Sequence, residues 1–256
     1  MLRHLRLGVF VLFASMLLGR PAVAQTTLLG VFFTDANTGT IVGGGGTILR
    51  TTNGGATWTA QSSGTTQDLQ NVFFTDANTG TVVGSGGTIL RTTNGGENWI
   101  PQFSGTNHFL SSVFFTDANT GTAVGGFSNP WWFSEGTILR TTDGGVTWTA
   151  QSSGTTDILQ GVFFADANTG TAVGFSTVLQ TTDGGVTWTT QSSGTAGGLG
   201  MFFTDANTGT IVSGGGTILR TTNGGATWTA QSSGTTQDLQ SVFFTDANTG
   251  TAVGGV

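Results

Sequence analysis

Apolar and polar positions follow one pattern that recurs along almost the whole chain. An apolar Val-Phe-Phe segment is followed each time by the polar turn sequence TDANTGT or a close variant of it. The segment begins at Val31, Val72, Val113, Val162 and Val242, and with methionine in place of valine at Met201. The starting points are 41, 41, 49, 39 and 41 residues apart. A fixed period near forty residues indicates a repeat architecture.

One repeat predicts four short strands. In residues 29–70, the run Leu29–Thr34 is apolar without polar alternation, which is typical of a strand covered on both faces. Further strands are predicted at Thr40–Val42, Thr47–Thr51 and Ala56–Gln61, separated by turns of Gly, Asn and Asp. Four antiparallel strands in about forty residues match a propeller blade. The sequence therefore predicts an all-β propeller with five complete blades and a partial sixth.

The turn between the third and fourth strands has the form of an Asp-box, which is found in sialidase-type β-propellers. Its first copy runs Thr51-x-Asn53-x-Gly55-x-Thr57-Trp58. The resemblance implies that the Asp or Asn caps the hairpin and that the tryptophan fills the blade, and a buried tryptophan is ordinarily part of a core. The structural residues predicted in this way are Asn53, Trp58, Asn94, Trp99, Asp143, Trp148, Asp183, Trp188, Asn223 and Trp228.

The whole repeat resembles the photosystem II assembly and stability factor family of β-propellers. The match runs from Phe33 through Gly39 and Val42 to the segment 48–58, and it recurs over nearly all of residues 29–256. The resemblance implies a non-enzymatic chaperone that holds a membrane protein or its precursor during assembly. It places the partner-binding arginines at Arg50, Arg91, Arg140 and Arg220, with Gln180 at the equivalent position of the fourth blade. A photosynthetic role in the thylakoid lumen applies only to a photosynthetic source.

The first 24 residues have the pattern of a signal peptide. Arg3 and Arg6 precede the apolar stretch Leu7–Leu18, and the small residues of 21–24 predict cleavage before Gln25. An uncleaved membrane anchor is the alternative, although the apolar stretch is short for a membrane span. We therefore expect an exported protein, periplasmic or extracellular, whose residues 25–256 form a single propeller domain without a membrane span.

Charge and composition exclude several partners. The chain has 13 acidic and 7 basic residues and a formal net charge of −6. Three of the basic residues lie in the predicted signal peptide, so no electrostatic footprint for nucleic acid or anionic membrane is expected. The chain contains no cysteine, which excludes disulfides and thiolate metal sites. No cofactor is predicted.

The largest break in the repeat is an insertion of eight residues, 127–134, in the third blade. It contains Phe127, Trp131, Trp132 and Phe133. Adjacent aromatic residues in a loop predict a binding platform for a glycan ring or an apolar partner surface. Alternatively, the loop folds down and plugs the central channel. A carbohydrate-binding module is therefore the second functional hypothesis.

Catalytic and metal sites have little support in the sequence. A sialidase needs a tyrosine nucleophile, and the chain has no tyrosine. Asp68, Asp157 and Asp238 share the face of the insertion and leave a glycoside hydrolase as the third hypothesis. His108 is the only histidine after residue 24. The Asp35 turn superficially resembles a calcium loop but lacks the later bidentate glutamate, so no metal site is predicted.

The last repeat ends after its predicted second strand. Either the open reading frame is truncated, which we favour, or the ring is open and has an exposed edge that invites pairing with another chain. The antiparallel order of the strands also predicts two distinct faces. The Asp35-type turns and the box turns lie on one face, together with the ends of the arginine-bearing strands. The other face carries the turns between second and third strands, the insertion and the connections between blades.

Overall fold

The computed structural model describes residues 26–128, 134–191 and 198–255 of the 256-residue chain. In these ranges the strands form six antiparallel sheets in which each strand pairs with the next strand along the chain, and five of these sheets have four strands. The first strands of successive sheets pack against one another from the first sheet to the sixth. The predicted β-propeller is confirmed, and the sheets are called blades 1 to 6 below.

The strands have the following bounds. Blade 1 consists of β1 (Leu28–Phe33), β2 (Gly39–Gly43), β3 (Thr47–Thr51) and β4 (Thr59–Gln61). Blade 2 consists of β5 (Leu69–Phe74), β6 (Gly80–Gly84), β7 (Ile89–Thr92) and β8 (Ile100–Gln102). Blade 3 consists of β9 (Phe109–Phe115), β10 (Gly121–Ser128), β11 (Ser134–Thr141) and β12 (Thr149–Gln151). Blade 4 consists of β13 (Leu159–Phe164), β14 (Gly170–Gly174), β15 (Val178–Thr181) and β16 (Thr189–Gln191). Blade 5 consists of β17 (Gly200–Phe203), β18 (Gly209–Val212), β19 (Ile218–Thr221) and β20 (Thr229–Gln231), and the described part of blade 6 of β21 (Leu239–Phe244) and β22 (Gly250–Gly254).

The fourth strand is shorter than the sequence predicts. It begins at Thr59 in blade 1 rather than at Ala56, and Trp58 precedes it. The reason is local, because the Asn53 side chain binds the backbone N–H of Thr57 at 2.9 Å and holds residues 53–57 in a turn. The tryptophan is therefore presented by the turn and not by the strand.

The hydrophobic core lies in the seams between blades. One cluster joins Val42 and Ile48 of blade 1 to Val72, Phe74 and neighbouring residues of blade 2, and an equivalent cluster lies at each following seam. The first strands of blades 2 to 5 contact the first strands of both the preceding and the following blade. This explains the continuous apolar run in their sequences, because a strand covered on both faces has no solvent side.

A recurring stack of three residues fills each complete blade. Phe33 pairs with Gly39 across β1 and β2, and an added Cβ at Gly39 would lie only 2.7 Å from the phenylalanine ring. The same ring meets Trp58 edge to face at 6.0 Å and 84°. The four other complete blades repeat this edge-to-face contact at 5.9–6.1 Å. Glycine is needed at this position because the aromatic ring lies directly over it.

The turns between second and third strands differ among the blades. Short 3-10 turns occur at Gly44–Gly46, Ser85–Gly87 and Gly214–Gly216. In blade 3 the insertion lengthens the hairpin, and Phe127 pairs with Glu135 and Ser128 with Ser134. The ends of the insertion are therefore strand, which corrects the expectation of a loop over the whole of 127–134. No helix in the described ranges is long and apolar enough to cross a membrane.

Candidate functional site

One side of the propeller, here called the box face, is built from the same two turns in each complete blade. The turn after the first strand and the turn between the third and fourth strands lie side by side there. In blade 1 they are joined by a hydrogen bond from the Gly54 N–H to the Asn37 carbonyl at 2.8 Å. The same bond recurs at 2.8–2.9 Å in blades 2 to 5, from Gly95, Gly144, Gly184 and Gly224. These bonds hold the two turns of each complete blade side by side on the box face.

The first of these turns holds an aspartate in each blade. Asp35 Oδ1 accepts hydrogen bonds from the N–H groups of Asn37 at 2.7 Å and Thr38 at 2.8 Å, and these donors lower the pKa of Asp35. Partial burial acts to raise the pKa of Asp76, but the N–H donors of Asn78 and Thr79 outweigh it, so that pKa is also lowered. The pKa is likewise lowered in the four equivalent residues, Asp117, Asp166, Asp205 and Asp246. The box face therefore carries a ring of carboxylates that are ionised at neutral pH.

The second turn shows why Asp or Asn occurs in the box. In blade 3, Asp143 accepts hydrogen bonds from the Thr147 N–H at 2.9 Å and the Thr147 hydroxyl at 2.6 Å. The Thr147 hydroxyl, followed by the Thr147 N–H, lowers the pKa of Asp143 to about 2. In blade 1, Asn53 occupies the same place and donates from its Nδ2 to the Thr57 hydroxyl instead. Asp143 and Asn53 therefore stabilise the turn, and their side chains are hydrogen-bonded within it.

The tryptophans predicted to be structural lie at the base of this turn. Trp99, Trp148 and Trp188 are buried, while Trp58 and Trp228 are half-buried. Trp188 donates its indole N–H to the Gly185 carbonyl at 3.2 Å. All five pack against a phenylalanine of their own blade rather than extending over the face.

The four predicted arginines lie on the box face, and their contacts reach the next blade. Arg140 Nε donates to the Gly184 carbonyl of blade 4 at 2.7 Å. Gln180 makes the same contact from blade 4 to the Gly224 carbonyl of blade 5 at 3.0 Å. An added Cβ at Gly95 would lie 3.2 Å from both terminal nitrogens of Arg50, which places that guanidinium over the box turn of blade 2. These side chains therefore bridge neighbouring blades, and Arg220 also donates to the Thr210 hydroxyl oxygen of its own blade at 3.4 Å.

The remaining two arginines also stack on phenylalanines of the next blade. Arg91 lies 5.9 Å from the ring centre of Phe115, and Arg220 lies 5.4 Å from that of Phe244. Burial lowers the pKa of Arg91, while the charges of Asp76 and Asp143 oppose that effect. Arg220 donates to the Ala247 carbonyl at 2.7 Å. In the described chain all four arginines are half-buried, so each side chain also reaches the surface.

A cavity of about 820 Å³ opens at the centre of the box face. Its inner wall consists of phenylalanines from the first strands of all six blades, and its mouth consists of Thr, Asp and Ala residues from the first turns. Rings of adjacent blades contact one another, with centres 5.2 Å apart for Phe32 and Phe73 and 5.0 Å apart for Phe202 and Phe243. The carboxylates at the mouth belong to Asp76, Asp117, Asp166, Asp205 and Asp246. Sequence reasoning did not find this cavity, although the first phenylalanine of every VFF segment was a visible signal for it.

The opposite face places the remaining aspartates against backbone turns. Asp68 Oδ1 accepts from the Gly45 N–H at 2.8 Å, and Asp238 Oδ1 accepts from the Gly215 N–H at 2.9 Å. Asp157 Oδ2 accepts from the Ser176 N–H at 2.6 Å. Each carboxylate serves a different hairpin. In the described ranges, no group of three or more His, Cys, Asp or Glu residues is arranged to hold a metal ion.

The aromatic insertion is only partly described. Phe127 is 37% exposed and stacks on the His108 ring, with ring centres 5.3 Å apart. His108 Nδ1 lies 2.7 Å from the Thr137 hydroxyl oxygen, so the imidazole is held from two sides. The predicted platform residues Trp131, Trp132 and Phe133 lie outside the described residues, as does the predicted signal peptide of residues 1–24.

Comparison with known proteins identifies the family. The family described as photosynthesis system II assembly factor YCF48 matches residues 21–161, more than half of the chain. The chain belongs to this family. A search of curated protein sequences gives no match.

Solved structures of similar fold fall into two groups. A structure of YCF48 bound to D1 peptide has a TM-score of 0.69 and 18% identity, covering 92% of this chain and 78% of that chain. YCF48 from Cyanidioschyzon merolae has a TM-score of 0.57 and 19% identity, covering 92% and 95%. The GH74 enzyme of Niastella koreensis has a TM-score of 0.71 and 18% identity, covering 89% of this chain but only 44% of the enzyme. At these identities the likeness shows the fold, which binding proteins and enzymes share.

Proposed function

We propose that this protein is an exported, non-enzymatic β-propeller that binds a protein partner, as an assembly factor does. Its membership of the YCF48 family carries this proposal. A solved YCF48 of the same fold is bound to D1 peptide, which supports a peptide or protein as the partner. The partner class is a membrane protein or its precursor. The signal-peptide pattern of residues 1–24 supports a periplasmic or extracellular location, or the thylakoid lumen in a photosynthetic source.

The arginines of the box face are the proposed contact residues. A guanidinium has five N–H donors in a planar fork, and the bond from Arg140 to Gly184 uses one of them. The others suit the carboxylates and backbone carbonyls of a partner. Arg50, Arg91 and Arg220 have the same half-buried placement between blades, so the four side chains lie along one arc of the face.

Gln180 indicates which substitution can test the role of the arginines. It shows that glutamine at this position keeps the bond to the next blade but carries no charge. We expect a variant with all four arginines changed to glutamine to fold like the original protein and to lose partner binding. The measurement is affinity capture from the envelope of the source organism, followed by identification of the captured proteins. Gln180→Arg adds a fifth arginine and is expected to strengthen the same capture.

Full retention of the captured partner by the fourfold arginine variant would contradict the role of the arginines. The thermal midpoint of each variant provides the control for folding. Loss of the partner is informative only where that midpoint is close to that of the original protein.

A carbohydrate-binding role is the second candidate, and the placement of Phe127 favours it. An exposed aromatic ring backed by His108 presents a flat apolar surface of the kind that suits a sugar ring. Deleting residues 127–134 is expected to abolish binding to soluble polysaccharides and to leave a partner held by the arginines unaffected. Polysaccharide binding that survives the deletion would exclude the platform.

A further inference from the structure

The cavity at the centre of the box face has a wall and a mouth of different chemistry. The wall is made of phenylalanine side chains such as Phe73, Phe163 and Phe202, several of which are half-buried. The mouth is made of the first turns of blades 2 to 6 and carries one carboxylate from each. The volume of about 820 Å³ lies within the usual range of ligand sites.

Because the wall is apolar and the mouth is acidic, the cavity favours some ligands over others. An apolar group is favoured against the phenylalanine wall, because it replaces water at an aromatic surface. A cation is favoured at the mouth, where carboxylates and the faces of aromatic rings both attract positive charge. An acidic occupant is disfavoured by the same carboxylates.

The other charges on this face do not reverse that preference. Nine of the 13 acidic residues lie on the box face, against four arginines. None of the four arginines lines the cavity, although Arg91 and Arg220 stack on the rings of Phe115 and Phe244, which do. Each turn aspartate engages Oδ1 with backbone N–H groups, as Asp117 does with Asn119 at 2.7 Å and Thr120 at 2.9 Å. These bonds leave the charge of the carboxylate in place.

We propose that the central cavity binds a peptide segment in which large apolar side chains are flanked by lysine or arginine. This inference rests on the proposed protein-binding function and adds a site separate from the arginine arc. The apolar side chains enter between the phenylalanines, and the basic side chains remain at the mouth beside the aspartates. The cavity thus selects basic apolar segments, while the arginine arc takes carboxylates and backbone carbonyls of the same partner.

Two matched variants of this chain test the charge preference. Asp117→Asn with Asp166→Asn removes two carboxylates from the cavity mouth, one in blade 3 and one in blade 4. Asp143→Asn with Asp183→Asn removes two carboxylates from the box turns of the same blades, outside the cavity. Asparagine preserves the turn in both cases, because its Oδ1 accepts the same N–H groups, and three box turns already contain it.

The probe is a fluorescein-labelled synthetic peptide of leucines flanked by arginines, and its binding is measured by anisotropy. We expect the mouth variant to bind it roughly fivefold more weakly than the original protein, and the box variant to bind it about as well. Equal binding by the two variants, or no binding by the original protein, would overturn the proposal. A peptide with serine in place of leucine is expected to bind much more weakly. Equal binding of that peptide would show a purely electrostatic contact and would also overturn it.

The absence of cysteine allows the site to be located directly. Ala118 lines the cavity mouth and Val146 is exposed in the box turn of the same blade. A peptide whose terminal cysteine is activated as a 2-pyridyl disulfide is expected to exchange with the Ala118→Cys thiolate, releasing pyridine-2-thione, much faster than with Val146→Cys, and equal rates would contradict the site. The titration needs no natural partner, so retention of the captured partner by the fourfold arginine variant would reject the arginine role without affecting the peptide result.

Discussion

At the residue scale, the arginine position has two separable roles. Its side chain contacts a turn of the next blade, and its charge reaches the surface of the box face. Gln180 separates these roles within a single chain, because it keeps the bond to Gly224 without the charge. In blade 4 glutamine thus satisfies the neighbouring carbonyl in place of an arginine.

This separation predicts the stability of two variants. Arg140→Ala removes the donor to the Gly184 carbonyl and is expected to lower the free energy of unfolding by about 1 kcal/mol. Arg140→Gln is expected to change it by less than about 0.5 kcal/mol. The reason is that Gln180 makes the equivalent bond, to the Gly224 carbonyl, between blades 4 and 5. Urea denaturation of the three proteins measures the difference. Equal losses in the two variants would show that a contact of the guanidinium other than the bond to Gly184 holds these blades together.

The aspartates of the box turns predict a dependence of stability on pH. The pKa values of Asp143 and Asp183 are lowered from 3.8 to about 2. Their ionised forms therefore stabilise the folded state at pH values above 3.8. That contribution falls as the pH drops from 3.8 towards 2, where the folded protein also becomes protonated. In the Asp143→Asn and Asp183→Asn double variant, the thermal midpoint is expected to fall less steeply over this interval. Parallel curves for the two proteins would contradict the assignment.

At the element scale, the hairpin of the first two strands depends on a phenylalanine lying over a glycine. In blade 4 this pair is Phe164 and Gly170, and the ring also meets Trp188 edge to face at 5.9 Å. The ring fixes the register of the hairpin because an equivalent contact cannot form one residue away. The repeat of this stack explains why the blades are alike although their connecting segments differ.

Two glycine substitutions in blade 4 test this contact. An added Cβ at Gly170 would lie 2.7 Å from the Phe164 ring, whereas one at Gly161 would lie 3.4 Å from its nearest neighbour. We expect Gly170→Ala to destabilise the protein by about 1–3 kcal/mol through overpacking. Gly161→Ala is expected to change stability by less than about 0.5 kcal/mol, and other blades have Asn71 or Ser112 at that position. Similar unfolding midpoints for the two variants would mean that the ring moves aside without cost.

At the scale of the whole molecule, identical sequences have different surroundings in different blades. The segment GTAVG forms β14 in blade 4 and β22 in blade 6. All five residues of β14 are buried, and β14 pairs on both sides. β22 pairs only with β21 among the described strands, and four of its five residues are exposed.

Hydrogen exchange followed by mass spectrometry tests this difference without any mutation. Because the two segments have the same sequence and the same preceding residues, their intrinsic exchange rates are equal. We expect the amides of β14 to exchange about tenfold or more slowly than those of β22, since β14 opens only with the packed interior of the ring. Equal protection would show that the edge of β22 is covered in solution.

The sequence by itself determined the blade and the ring of blades. A period near forty residues, turn residues at fixed places and apolar first strands leave few architectures open, because each unit must bury its faces against a neighbour. The sequence also located the box turns and the arginine position, since these repeat with the blade. It misplaced the start of the fourth strand. The turn is prolonged by side-chain hydrogen bonds of Asn53, which strand propensity does not reveal.

Only the tertiary structure decided which neighbours the side chains meet. Arg140 reaches Gly184 of the next blade, and this contact depends on how two blades stack rather than on the sequence around either residue. The central cavity has the same origin, because six phenylalanines far apart in the chain become one wall only when the blades turn around a common axis. Local patterns specify strands and turns through short-range hydrogen bonds. The surfaces that meet a partner arise from the long-range packing of these repeats.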